Sequence, residues 1–135
     1  MLAGTLILIA ILNSCKEVDE RDKYVGTWTG LMIFSRIGYE FSTTVIISKS
    51  TTNPSQIFFE ESGSSPRTAT INGDSYTYDS FIASYQTYQD EVSGNFAGAG
   101  SKDGDVLTES GTITSDNSPY QGDLGTWHRH LAKQK

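Results

Sequence analysis

Basic residues are scarce in this chain: ten Lys and Arg stand against sixteen Asp and Glu, a net charge of −6. A nucleic-acid partner is excluded on that ground, because neutralising phosphates needs a cationic face. Cysteine occurs once and proline three times. The Ala, Leu, Glu and Lys mixture that builds helices is thin, and no helical period of useful length appears. Beyond the first dozen residues no run approaches the ~20 apolar residues of a bilayer-spanning helix. Nucleophile–base pairs, phosphate loops and G-x-S-x-G motifs are missing too, so catalysis has nothing to rest on. The expectation is a protein that is not an enzyme and holds no cofactor. What the 135 residues do offer is Gly, Ser, Thr and Tyr, enough for one domain with a single modest core.

The lone Cys15 sits at a sharp boundary, "LILIAILNSCKEVDERDKYVGTW". It can be a buried thiol, half of an intermolecular disulfide, or a lipid attachment point. Residues Leu2 to Leu12 are almost wholly apolar, the length of a signal-peptide core of roughly 7–15 residues. A core cysteine would lie beside charged "KEVDERDK", and a disulfide partner leaves the apolar leader unexplained. The stretch "LNSC" resembles a bacterial lipobox, with an aliphatic residue three before the cysteine and a small one just before it. The resemblance implies cleavage before Cys15, acylation of its thiol with fatty acids such as palmitate, and export to the outer membrane. The periplasmic and cell-surface faces both remain open. Two or three acyl chains hold stably where one is marginal. Residues 1–14 are then signal peptide, 15–23 the lipidated Cys15 with a polar tether, and 24–135 the folded domain.

From Tyr24 onward short alternating or apolar runs are split by turn residues, the pattern of an all-β sandwich or barrel. "VGTWTGLMIFSR" places Trp28, Gly30, Met32 and Phe34 on one face, while "YEFSTTVIISKS" is apolar on both faces at Val45, Ile46 and Ile47. "QIFFEE", "RTATING", "DSYTYDSFIASYQTY", "EVSGNFAGAG", "VLTESGTIT" and "LGTWHRHLA" complete about eight strands. Asn72-Gly73 is a hairpin signal of the I′ kind. Gly30, Gly94, Gly98, Gly100 and Gly111 inside strands suggest bulges or sharp bends.

Gly26-Thr27-Trp28, at the start of the first strand, resembles the G-x-W signature of the lipocalins and related calycin barrels. That resemblance implies an antiparallel up-and-down barrel of about eight strands, with Trp28 plugging one end. It also implies a basic residue of the last strand over the Trp28 ring, a role that Arg129 is placed to fill. The compact lipocalin-like lipoproteins of Gram-negative bacteria share the late "SGTIT…GTW" ending. "GTW" recurs at Gly125–Trp127, and neighbouring first and last strands would bring both tryptophans to one end.

Candidate site residues follow from strand alternation. Tyr76, Tyr78, Phe81, Tyr85 and Tyr88 either line a ligand cavity or pack as tyrosines ordinarily do in strands. Glu109 shares a face with Leu107 and Ile113; inside, it would need a partner and could orient a ligand. The more ordinary expectation is that Glu109 faces out, on an outward strand or through a bulge at Gly111 that flips the register. Glu60 and Glu61 read as a strand end in water. His128 and His130 share a face and could begin a metal site with Asp123, Glu109 or Asp105. An inward Trp127 and Arg129 would turn them to solvent, and no metal is expected. Two functions stay open: an anchored barrel binding a small hydrophobic or aromatic ligand, or a self-filled barrel binding an envelope protein or glycan.

Overall fold

A computed structural model describes residues 17–36, 38, 40–86, 91–115 and 122–135. The apolar leader, Cys15 and Tyr88 lie outside the described residues. Eight antiparallel strands follow one another: β1 (Gly26–Phe34), β2 (Glu40–Lys49), β3 (Gln56–Glu61), β4 (Arg67–Asn72), β5 (Ser75–Gln86), β6 (Glu91–Asp103), β7 (Val106–Ser115) and β8 (Gly122–Lys133). Each pairs with the next and β1 closes on β8. This is an up-and-down barrel, consistent with a lipocalin-like fold. Closure removes the unpaired edges that an open sheet would leave.

Period-2 alternation places Trp28, Met32 and Phe34 inside on β1 and Val45 and Ile47 inside on β2, while Ile46 points out and is half exposed. Strand β5 breaks the simple alternation. Tyr76 and Tyr78 are buried at even positions, and Phe81, Ala83 and Tyr85 at odd ones. A register shift between Tyr78 and Phe81 makes this switch: Tyr78 pairs with Gly98 and Phe81 with Phe96, so two residues of β5 oppose one of β6. A second shift lies between Ile113 and Thr114, opposite Gly125 at φ 87°.

Of the glycines expected to mark bulges, Gly98 faces the first one across the ladder, where it pairs with Tyr78; Gly30, Gly94 and Gly100 lie in regular pairing. Gly98 and Gly100 also give room. A Cβ on Gly98 would stand 2.9 Å from Trp127 Cζ2, and one on Gly100 would collide with the Tyr76 ring. The β4–β5 turn is also displaced by one residue from the expected position. Asn72 pairs with Ser75, so its central residues are Gly73 and Asp74. Positive φ occurs at Gly73 alone of the two, the sign pattern of a II′ turn rather than I′.

Both GTW segments occupy adjacent strands, but at opposite ends. Trp28 pairs with Lys133, and Trp127 with Phe34. In an even-stranded meander the first and last strands run antiparallel, so the start of β1 lies beside the end of β8.

Candidate functional site

Two regions carry chemistry: the lumen and the closed end where β1 begins. Among the described residues, twenty buried apolar side chains form one cluster that fills the lumen. Rings dominate its upper part. Phe96 meets Phe34, Phe81, Tyr85 and Trp127 at centroid distances of 5.3–6.1 Å. Tyr78 packs on Phe59, Tyr76, Phe81 and Trp127 at 5.3–6.5 Å. Tyr76, Tyr78 and Phe81, expected as ligand-binding residues, thus face inward and touch one another or common neighbours.

Within this aromatic packing sits a charged network. Glu109 is fully buried, against the ordinary expectation of an outward carboxylate, and its partners explain why that is tolerated. Tyr76 Oη donates to Glu109 Oε1 at 2.6 Å, and Arg129 Nε donates to Glu109 Oε2. Arg129 also donates to Glu61 Oε1 at 2.9 Å. Glu61 is not the strand end in water that its position suggested. Its side chain is inside, shared among Arg129, Arg67 and Tyr85. Glu60, on the other face of β3, is exposed, as adjacent strand residues must be.

Burial and the neighbouring carboxylate of Glu109 push the Tyr76 hydroxyl well above its ordinary range, and burial does the same for Tyr78. Against burial, the charges of Glu109 and Glu61 hold Arg129 protonated. Arg67 lies 3.9 Å over the Phe81 ring and near Phe59 and Tyr78, a cation–π position that matches its weakly hydrated guanidinium. Arg129 Nη2, Arg67 Nε and Tyr78 Oη are buried without a hydrogen-bond partner.

Arg129 does not cover Trp28. Register decides this: Arg129 pairs with Met32, whereas Trp28 pairs with Lys133, whose Nζ lies 5.4 Å from the indole. The last strand does supply a cation to the plug tryptophan, four residues later than expected. Arg129 Cζ instead lies 5.8 Å from the Trp127 ring. Trp28 itself donates Nε1–H to the Tyr24 carbonyl at 2.8 Å.

Residues just before β1 close this end. Tyr24 is fully buried, its ring edge-on to Tyr76 and its hydroxyl donating to the Gly73 carbonyl at 2.8 Å. Asp19 to Lys23 form a turn pinned to the base loops rather than a hydrated chain. Arg21 Nη1 donates to the Ser50 carbonyl at 3.1 Å and chelates Asp19 through Nε and Nη2. Lys49 pairs with Asp19 and Asp22, and Lys23 with Glu20 and Asp74. Hydrogen bonds from Arg21 hold the Asp19 carboxyl well below its usual range, and Lys23 lowers Asp74. Because these carboxyls titrate lower when docked than free, their contribution to docking is fully present above the free value of about 3.9 and is lost as pH falls further, while the contacts of Arg21 with Ser50 and of Tyr24 with Gly73 remain. Amide exchange at residues 19–24 should therefore be flat from about pH 8 to about pH 5 after correction for intrinsic rates, and rise in stronger acid.

On the outer wall, β1, β8 and the start of β7 expose a different surface. Leu31 and Val106 are 49% and 43% exposed and line a hollow of about 410 Å³ with Thr29, Ile33, His130 and Ala132. His128 and His130 face outward here, with ring centroids 6.3 Å apart and Thr108 Oγ1 3.3 Å from His130 Nδ1. Glu109 lies on the other side of the wall and cannot join them. Asp123's side chain lies outside the described residues. Among the described residues no cluster of three His, Cys, Asp or Glu side chains is arranged to hold a metal.

No family model, curated protein or solved structure matches the chain closely enough to count as a relative. The functional reading therefore rests on the residues themselves.

Proposed function

We propose that this is an exported lipoprotein, anchored to the outer membrane through acylated Cys15, that binds an envelope protein through the outer wall of a self-filled barrel. The observation that carries the choice over a small-ligand carrier is the occupied lumen. Eight strands enclose a space that side chains can just fill or that can hold one small ligand. Here Trp28, Trp127, Tyr76 and the Phe96 cluster take up that space. The hollows formed by the described residues open on the outside instead, at the base, along the wall and beside the loops. Of these three, the wall hollow is the most apolar, rimmed by Thr29 and His130, the composition of an interaction patch.

Native mass spectrometry of the gently purified protein should show the acylated chain, free or with its protein partner, without a small-molecule adduct. A reproducible small-molecule adduct would overturn the self-filled reading. A photo-crosslinking residue at Leu31 should yield one discrete protein adduct in the envelope, removed by Val106→Asp. The same residue at Thr70, outward on β4 across the barrel, should not. Equal adducts at Leu31 and Thr70 would remove the wall from the proposal.

A further inference from the structure

We infer that the barrel stands directly on lipid headgroups, base down and fixed in orientation, with no free tether between anchor and domain. This rests on reading Cys15 as the lipid anchor and adds to it a specific surface, the closed end of the barrel.

Chain length is the first ground. The pinned turn begins at Asp19, four residues after Cys15. Four residues reach at most about 14 Å when fully extended, so the docked turn cannot lie further than that from the acyl attachment. The second ground is how firmly that turn is held. Arg21 bonds to the β2–β3 loop, Lys23 to Asp74 of the β4–β5 hairpin, and Tyr24 to both Gly73 and Tyr76. Those contacts fix the turn to two separate loops and to the lumen. A chain tied at several points transmits orientation, where a Gly/Ser-like linker of the same length would transmit only proximity.

At the base Arg21, Lys23 and Lys49 are each consumed by the carboxylates of Asp19, Glu20, Asp22 and Asp74, which leaves the network slightly acidic, so the seating rests on the short link and not on charge attraction. Val18, in the bridging residues, is 79% exposed and shares a hollow with Pro54, Ser55 and Ile71, which leaves an apolar side chain uncovered at the base. The opposite end stands clear. Twelve-residue β5, at ~3.3 Å per residue and ~40° tilt, sets it roughly 30 Å higher. The Leu31–Val106 wall then rises from the bilayer, placed for a partner that is itself at the membrane.

Single-cysteine fluorophores test this, since acylation leaves no free thiol on Cys15. Thr51→Cys labels an exposed base loop and Ser62→Cys an exposed loop at the other end. The acylated protein is reconstituted in phosphatidylethanolamine/phosphatidylglycerol vesicles carrying a headgroup-level quencher. The Thr51→Cys label should be quenched several-fold more than the Ser62→Cys label. Inserting about ten Gly and Ser residues after Lys16, which leaves barrel and turn intact, should abolish that difference. Equal quenching of both labels in a protein that carries fatty acid overturns the seating and leaves the anchor standing. A protein that incorporates no fatty acid, and matches its Cys15→Ala variant in membrane fractionation, overturns both.

Discussion

Arg129→Met should lower the unfolding free energy by about 3–5 kcal/mol in urea titration, one of the largest losses any single side chain here can produce. Arg129 is fully buried and is the cation shared by Glu61 and Glu109, whose side chains are 2% and 0% exposed. Met fills similar volume but strips Glu109 of its cation and leaves Glu61 only its ion pair with Arg67 at 3.4 Å. Among its hydrogen bonds Arg67 offers Glu109 none. Adding Glu61→Gln and Glu109→Gln to Arg129→Met should recover most of the loss, because uncompensated charge is the dominant cost. A deficit that is unchanged by the two Gln substitutions would assign Arg129 a packing role instead.

How far this network could be read beforehand depended on which residues set its geometry. Alternation along one strand placed Leu107, Glu109 and Ile113 on one face, and Trp127, Arg129 and Leu131 on another. Both faces point into the lumen. Glu109 was nonetheless expected outside, because nothing in one strand's pattern names the partner that pays for burial. Arg129 lies opposite Glu109 in the β7–β8 ladder, a register that depends on the β7–β8 connection and on the shift between Ile113 and Thr114, which nothing in either strand's alternation marks. Glu61 lies 68 residues from Arg129 and is further still from legibility. The β5 switch from Tyr78 to Phe81 has no marker on β5 itself; Gly98, opposite Tyr78 on β6, is the one suggestive glycine beside it, and it also clears the Trp127 ring. Charge patterning misled in the same way at Asp19–Lys23. A mixed-charge string looks solvated until Ser50, Lys49 and Asp74, distant in sequence, supply its partners.

Trp127→Ala should cost about 3–5 kcal/mol and, unlike most core truncations, should create a binding site. The indole packs against Tyr78, Phe81 and Phe96, donates to the Thr112 carbonyl at 3.2 Å, and lies over Gly98. Its inner-face neighbours on β6 cannot close over the gap. Gly98 has no side chain, and Gly100 already accommodates Tyr76. The void would be walled mainly by aromatic carbon, and such cavities stay dry and accept benzene-sized ligands. Indole should therefore raise the melting temperature of Trp127→Ala, with a gain near 2.7 kcal/mol when it reaches about 100 times its Kd. The unsubstituted protein should not respond, because its own tryptophan occupies the space. A wild-type response would mean that the lumen admits a guest despite Trp127 and would restore the small-ligand reading. Pairing large rings with glycines across the lumen is what makes this barrel solid, so a single truncation should suffice to make it hollow.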